Sequence, residues 1–220
     1  SLNNSNSRNN TKPIHSIDVR NLGDVEGCYA EGPDKFGFGI STSFNNSKLL
    51  IGSLKDYVHL IEFNGGISSS SVIPNPIDHD HNEHDNSDDS NTTSDYHKFG
   101  ESVYVGDNNL YVAALNYDNG KGKVFVYPFV QSSNKLNDNS WTNPYELQPN
   151  NISDNSHFGY KFSESGNEIS ISTFNQKTIY NYSLKNSDSF EYNGEIFSDS
   201  SYNYFGRSFL VNDDFLLAGD

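Results

Sequence analysis

The sequence predicts an all-β chain assembled from one repeated unit, and three observations carry this prediction. Short runs of β-branched and aromatic residues, such as 57–63 and 123–127, are bounded by Gly, Asn and Asp, as is typical of strands. No window of about eleven residues shows an apolar stripe at helical spacing. A Phe-Gly pair followed by a similar downstream segment occurs four times, which indicates an internal repeat: the pairs are Phe36-Gly37, Phe99-Gly100, Phe158-Gly159 and Phe205-Gly206.

Each of these four Phe-Gly pairs opens the same local pattern. Apolar positions follow the pair, then a polar turn, then an apolar triplet that ends in small residues. These small residues are Gly52-Ser53, Ala113-Ala114, Ser172-Thr173 and Ala218-Gly219. The pattern predicts a strand, a tight hairpin and a second strand. Third strands are predicted at 58–63, 124–129 and 178–184, and fourth strands at 67–73, 141–147 and 190–197.

The repeated unit therefore has four antiparallel strands in roughly 45 to 60 residues, which is the size of a propeller blade. The predicted fold is a partial β-propeller of four-stranded antiparallel blades. Complete blades are expected near 36–77, 99–148 and 158–197, with a partial blade at 205–220. Residues 14–19 fit the outer strand of a preceding copy. Residues 1–13 form an Asn/Ser-rich tail that is expected to be flexible.

Three complete blades and two partial blades cannot close a ring, since propellers contain about four to eight blades. An open stack would expose blade faces and strand edges. We therefore expect that the intact protein continues beyond Asp220, or that another surface covers the open end. Further blades of the same or another chain are predicted partners.

The residue types of the repeat have physical reasons. A Phe at the start of the inner strand is expected to fill the gap between neighbouring blades. The Gly after it permits a close approach of another chain segment. Small residues at Gly52, Ala113, Ser172 and Ala218 are expected because inner strands crowd near the propeller axis.

Composition excludes several classes of function. Acidic residues outnumber basic ones by 29 to 14, which gives a net charge of -15 and argues against a nucleic-acid partner. No run of about 18 apolar residues is present, so no membrane span is predicted. Cys28 is the only cysteine, which excludes a disulfide within the chain and a thiolate metal cage.

The second copy, FGESVYVGDNNLYVAALNYDNGKGKVFVYPF at 99–129, carries a resemblance to a known family. Its first five residues fit the pattern Phe-Gly-x-Ser-Val, and residues 122–127 are similar to Gly-x-Val-Tyr-Val-Tyr. These residues resemble the FG-GAP repeat, the blade of integrin-α-like β-propellers, and the resemblance covers about residues 14–220. It implies a non-catalytic, extracellular or cell-surface module for adhesion or binding, whose loops recognise a protein or glycan partner.

Many FG-GAP blades carry a calcium loop between their first two strands. Calcium needs a cluster of oxygen ligands and a Gly at the tight bend. The corresponding turns here, at 44–48, 105–109, 163–167 and 211–214, lack that ligand set, so no cofactor is predicted. They are interpreted as plain hairpins in which Asn-Asn and Gly-Asn accept positive φ.

The loops provide the candidate binding residues. The connection at 116–122 is one candidate, with Asn116, Tyr117, Asp118 and Asn119 as its proposed contacts, and the insertion at 78–96 is the other. No Gly-x-Ser-x-Gly elbow or phosphate loop is present, and the chain is predicted not to be an enzyme. The alternative is a propeller-based hydrolase or lyase with an acidic site near the axis.

The insertion contains a conspicuous run of His and Asp between Asp78 and Asp89. His79, His81, His84 and Asp80 are of the types that bind a divalent metal. The competing interpretation is a solvated loop, because nothing in so polar a run holds ligands in a defined geometry.

Overall fold

The computed structural model describes residues 40–42, 47–52, 57–63, 67–77, 97–128, 144–186, 189–198, 204–212 and 214–219. These residues form fourteen strands and one helical turn. Each sheet is antiparallel, and its strands follow one another in sequence order. The prediction of an all-β partial propeller is confirmed.

The strands form three complete sheets and one hairpin. Blade 1 comprises β1 (Ile40–Thr42), β2 (Lys48–Gly52), β3 (Tyr57–Phe63) and β4 (Ile67–Pro74). Blade 2 comprises β5 (Phe99–Val105), β6 (Asn109–Ala114), β7 (Lys123–Pro128) and β8 (Tyr145–Leu147), with the turn α1 (Tyr117–Gly120) between β6 and β7. Blade 3 comprises β9 (Phe162–Ser165), β10 (Glu168–Ser172), β11 (Thr178–Asn186) and β12 (Ser189–Phe197). The hairpin is β13 (Ser208–Val211) and β14 (Leu216–Gly219).

Apolar side chains fill the spaces between successive blades. One buried cluster joins blades 1 and 2, and a second joins blades 2 and 3. Phe99 belongs to the first cluster and Phe158 to the second, and both are fully buried. Phe158 meets Tyr180 edge to face, with ring centroids 5.6 Å apart. As expected, these aromatic rings fill the gaps between blades, and their burial is a large source of hydrophobic stabilisation.

The glycine of each described Phe-Gly pair has a positive φ, of 87° at Gly100, 100° at Gly159 and 82° at Gly206. A Cβ atom added to Gly159 would lie 2.6 Å from Ala113 Cβ and 2.9 Å from Val124 Cγ2. These two residues form a cross-strand pair in blade 2. Glycine is therefore required both by the backbone conformation and by the close approach.

The same contact recurs one blade later. A Cβ atom on Gly206 would lie 3.2 Å from Ser172 Cβ and 3.4 Å from Ile179 Cγ1, and these residues pair across β10 and β11. The small residues at the ends of second strands thus accommodate the glycine of the following blade. This contact, which the sequence did not predict, accounts for the small side chains at these positions.

One expected equivalence is wrong by one residue. Ser102 pairs with Ala113 in blade 2, whereas Ser208, the corresponding residue of the last hairpin, pairs with Gly219. The equivalent of Ala113 is therefore Gly219 and not Ala218. The expectation about turns is also wrong in part, because φ is positive at Gly166 but not at Asn108 or Asn109.

Candidate functional site

The candidate site lies at the corners of blades 2 and 3, where the chain enters each blade through its Phe-Gly pair. The residue before the Phe has a left-handed backbone in both, with φ of 54° at Lys98 and 52° at His157. Non-glycine residues adopt this conformation rarely, and it is concentrated at functional sites. The corners therefore place Lys98 and His157 in equivalent positions.

The connection between β6 and β7 is bonded to the next corner. The backbone N–H groups of Asn155, His157 and Phe158 donate to the carbonyls of residues 119, 120 and 121, at 2.9, 2.7 and 2.8 Å. Such backbone hydrogen bonds hold two loops in one arrangement. The candidate loop at 116–122 is thus fixed against blade 3.

The four predicted binding residues of that loop divide into two pairs. Asn116 and Tyr117 are half-buried, and Tyr117 packs on the core of blades 1 and 2 beneath Lys123 Nζ, which lies 4.0 Å from its ring. Asp118 and Asn119 are exposed and have positive φ. The second pair is the more exposed of the two, and all four residues stay predicted binding residues.

A cleft of about 190 Å³ lies beside this loop, where blades 2 and 3 meet. Its lining comes from equivalent positions of the repeat: the residue before the Phe, the residue after the Gly, and the residues that follow the second strand. These are Lys98, His157, Glu101, Tyr160, Leu115 and Phe174. We refer to this feature as the cleft.

One wall of the cleft carries an ion pair. Lys98 Nζ lies 3.3 Å from Glu101 Oε2, and the Glu101 side chain is 18% exposed. Among the described residues, this buried oxygen accepts no well-aligned hydrogen bond. Buried polar atoms normally have hydrogen-bond partners, and for this oxygen the Lys98 ammonium group is the nearby charge.

The cleft residues contributed by blade 3 and its corner are aromatic. The rings of Tyr160 and Phe174 lie 4.8 Å apart between centroids, and the His157 ring meets Phe174 edge to face at 6.3 Å. His157 Nδ1 is 3.0 Å from the Leu115 carbonyl oxygen. If the neutral ring carries its proton on Nδ1, Nδ1–H donates to that carbonyl and Nε2 is an acceptor.

The next corner closes over the far side of Phe174. The Arg207 guanidinium lies 4.0 Å from the Phe174 ring centroid and 4.3 Å from that of Tyr204. Arg207 follows Gly206 as Glu101 follows Gly100. The guanidinium therefore stacks on this aromatic wall by cation–π contact, and the cleft itself lies on the blade 2 side of it.

A second polar cluster lies at the other end of the same two blades. Glu164 accepts hydrogen bonds from the Asp107 backbone N–H at 2.7 Å and from the Tyr111 hydroxyl at 3.0 Å. Burial raises the pKa of Glu164, and the nearby Asp107 charge adds to this, while the two hydrogen bonds oppose it. Burial also raises the pKa of Tyr111, with the Glu164 charge adding to the effect. This cluster joins the β5–β6 turn to β9.

The cleft was not predicted from the sequence. Lys98, Glu101, Tyr160 and Phe174 are ordinary surface residue types, and the first and last of them are separated along the chain by more than one blade length. The sequence did carry one signal for four of the cleft residues. Lys98 and His157 directly precede the Phe of a Phe-Gly pair, and Glu101 and Tyr160 directly follow its Gly. A search of those offsets would have identified Lys98, Glu101, His157 and Tyr160 together.

The other predicted sites lie outside the described residues. These are the metal candidates His79, His81, His84 and Asp80, and the first repeat pair, Phe36-Gly37. Within the described ranges, no group of three or more His, Cys, Asp or Glu side chains is placed to hold a metal ion. The metal site stays a prediction, which calorimetric titration with Zn²⁺ and Ca²⁺ tests: it is wrong if neither ion binds below the millimolar range.

No family model matches the chain, and no curated protein matches it. Among solved structures, the chain is similar to a streptogramin B lyase, with a TM-score of 0.53 and 13% sequence identity. The similarity covers 87% of this chain and 50% of that one, so the chain spans half the length of that protein.

The solved structure is a β-propeller, and at this identity the likeness shows the fold alone. In this fold, the cleft lies where two propeller blades meet. No helix in the described part of the chain is long and apolar enough to cross a membrane.

Proposed function

We propose that this chain is a non-catalytic binding module that recognises a protein or glycan partner through the cleft. The observation that carries the proposal is the size and lining of the cleft. Its volume of about 190 Å³ is below the roughly 300–1,000 Å³ of small-molecule pockets. A space of this size accepts one side chain or one sugar ring of a larger ligand, whose remainder rests on the surrounding loops.

The lining suits such a ligand. The rings of Tyr160 and Phe174 offer apolar area at low conformational cost, as aromatic residues do in binding surfaces. Glu101 and His157 offer acceptors, and Lys98 offers a donor that is held near the cleft by its ion pair. An apolar surface with a few convergent polar groups is the usual composition of a binding site.

Cell-surface location and adhesion are part of the proposal and rest on the resemblance of residues 99–129 to the FG-GAP repeat. That resemblance implies that propeller loops recognise the partner. The exposed residues Asp118 and Asn119 lie on the loop that is bonded to the corner carrying His157. They are therefore proposed to contact the part of the ligand outside the cleft.

The test is to screen the biotinylated chain against a glycan array and an array of extracellular protein domains. Any binding is then measured with Tyr160→Ala and Phe174→Ala, each of which removes one aromatic wall. We expect each variant to weaken binding at least about tenfold, as for buried aromatic contacts at interfaces. Tyr192→Ala is the matched control, because Tyr192 is an exposed ring on β12 outside the cleft, and it should leave affinity within about twofold.

Two results would contradict the proposal. One is the absence of specific binding on both arrays. The other is binding that Tyr160→Ala and Phe174→Ala leave unchanged while their unfolding curves show that they are folded.

A second candidate function is a lyase or hydrolase reaction in the same cleft. It is supported by His157, whose Nδ1 contact leaves Nε2 free to act as a base when the proton is on Nδ1, and by Glu101, which lines the same cleft. A positioned base and an acidic group are the elements of acid–base catalysis. Incubation with streptogramin B, followed by mass spectrometry, is a direct first assay. Turnover that His157→Asn and Glu101→Gln both abolish would favour catalysis over binding.

A further inference from the structure

An Asn-x-Ser triplet lies in an exposed turn between β8 and β9. Asn151, Ile152 and Ser153 form the acceptor pattern for N-linked glycans. Asn151 and Ser153 are exposed, whereas Ile152 packs on the buried cluster between blades 2 and 3. The turn therefore presents the asparagine and the serine to solvent together, on a backbone that Ile152 anchors to the core.

Within the described residues, Asn181 begins the other triplet of this kind, and its surroundings are different. It lies in β11 and pairs with Ser170 of β10 on one side and with Gly194 of β12 on the other. Its side-chain oxygen accepts a hydrogen bond from the Ser170 hydroxyl at 2.6 Å. Because a glycan is bulky and belongs at the surface, one attached to Asn181 would displace this bond in the middle of the sheet.

The Asn151 amide is held against β12, the outermost strand of blade 3. Its Nδ2 donates to Glu195 Oε2 at 2.9 Å, and the Tyr192 hydroxyl donates to the same oxygen at 3.1 Å. The two donors are thus neighbours across one carboxylate oxygen. A side-chain amide nitrogen carries two hydrogens, so a sugar can replace one of them while the other still donates to Glu195.

Tyr192 provides an aromatic surface beside that nitrogen. Its ring packs against Tyr180 and Tyr182, with centroids 6.4 and 5.7 Å away, and Tyr192 is 49% exposed. The ring is therefore held by its neighbours and keeps about half of its surface open. The carbon-bound hydrogens of a sugar ring can cover an aromatic surface of this kind.

We propose that Asn151 accepts an N-linked oligosaccharide, and that its first sugar, an N-acetylglucosamine, lies over Tyr192. This rests on the cell-surface location proposed above, because the donor, a lipid diphosphate oligosaccharide, and its transferase belong to the secretory pathway. The bond that forms joins Asn151 Nδ2 to the anomeric carbon of the sugar. The bond that breaks joins that carbon to the diphosphate oxygen, so the lipid diphosphate leaves and Nδ2 loses one proton.

The glycan lies outside the cleft, although the same connection between β8 and β9 serves both. His157, near the end of this connection, lines the cleft, whereas Asn151 is bonded to β12. A glycan at Asn151 consequently leaves the cleft open to a ligand.

The acceptor is tested by secreting the 220-residue chain from a mammalian cell line behind a cleavable signal and mapping its peptides by mass spectrometry. We expect a glycan on Asn151 and none on Asn181. Asn151→Gln and Ser153→Ala should each abolish the modification, because both break the acceptor pattern. Ser153→Thr keeps the pattern and is the matched control, in which the glycan should remain.

The proposal is overturned if Asn151 is unmodified, or if Asn181 is occupied to the same extent. If the chain is retained in the endoplasmic reticulum, the same criteria apply to the protein recovered there. Neither outcome involves ligand binding, so failure at Asn151 and failure of binding in the cleft are separate results.

The contact with Tyr192 is tested by stability. An endoglycosidase trims high-mannose glycans to one N-acetylglucosamine, and the trimmed protein is compared with Ser153→Ala, which lacks this sugar but retains the Asn151 amide. We expect the trimmed protein to unfold at a higher urea concentration, and Tyr192→Ala in both backgrounds should remove the difference. Equal midpoints with Tyr192 present, or a difference that survives Tyr192→Ala, would overturn the placement of the sugar.

Discussion

The β5–β6 hairpin of blade 2 and the β13–β14 hairpin are built from the same pattern and differ in what surrounds them. Both follow a Phe-Gly pair, and both turn tightly between paired strands. Every residue of β6 is buried, whereas β14 alternates between half-buried and exposed. The sequence of β14, Leu-Leu-Ala-Gly, is apolar on both faces, as in strands that are covered on both sides. Burial in this fold is therefore decided by the neighbouring blade.

The largest expected effect is the loss of an aromatic ring between blades. Phe158→Ala should lower the free energy of unfolding by about 3–5 kcal/mol, because it removes a fully buried ring and leaves a cavity. Leu217→Ala on the exposed face of β14 should change it by less than about 0.5 kcal/mol. Urea unfolding of both variants measures the difference, and similar losses would mean that the face of Leu217 is covered in solution.

The next effect concerns the approach of one blade to another. Gly159→Ala should cost about 2–5 kcal/mol, since the added Cβ meets Ala113 and Val124 and the backbone φ is positive. Gly166→Ala is the matched control. Gly166 also has a positive φ, but a Cβ atom added there would have nothing within 4 Å, so only the backbone cost of about 1 kcal/mol applies. Equal losses for the two variants would disprove the close packing of the Phe-Gly corner.

A smaller effect is expected at the polar cluster that joins blades 2 and 3. Glu164→Ala leaves the Tyr111 hydroxyl without its acceptor and should cost about 1 kcal/mol, whereas Glu164→Gln retains groups of the right shape to accept and donate. Because burial raises the pKa of Glu164 above its ordinary 4.5, its contribution to stability is fully present below about pH 4.5. That contribution is lost as the pH rises through the raised pKa.

The direction of this pH dependence can be measured by comparing the unfolding of the Glu164→Gln variant with that of the original protein. From about pH 5 to about pH 8, the free energy of unfolding of the Gln variant should rise relative to that of the original protein, because an amide has no charge to bury. A difference that is constant with pH would show that folding does not raise the pKa of Glu164.

The smallest effect on stability is expected for substitutions on the exposed face of the β13–β14 hairpin. Leu210→Ser combined with Leu217→Ser should leave the urea midpoint nearly unchanged and reduce the fluorescence of a dye that binds apolar surface. The single variant Phe209→Ser, on the half-buried face toward blade 3, should lower the midpoint instead. The reverse result would mean that Leu210 and Leu217 are buried in solution and that Phe209 is exposed.

Strand positions were largely predictable from the sequence. The third strand of blade 3 was expected at 178–184 and runs from Thr178 to Asn186, and the fourth strand of blade 1 was expected at 67–73 and runs from Ile67 to Pro74. Alternating apolar residues and turn residues determine such elements locally. The spacing of the four Phe-Gly pairs then indicated how many of the predicted strands belong to each blade.

The site was much less predictable, for a physical reason. Lys98 and His157 take left-handed backbone conformations. Neither position holds a glycine or an asparagine, the residue types that would have indicated this conformation in the sequence. Glu101 and Phe174 meet in the cleft only because blade 3 packs on blade 2. The predicted loop residues Asp118 and Asn119 lie beside this cleft region, but local sequence alone did not indicate what they adjoin.

The hydrogen bonds from residues 155, 157 and 158 to residues 119–121 have a consequence for biosynthesis. A ribosome releases the chain from its N-terminal end, so the acceptor carbonyls emerge before the donors that bind them. Each new corner can therefore dock on a surface that is already formed, and the protein can be assembled in the order of its translation without waiting for distant segments.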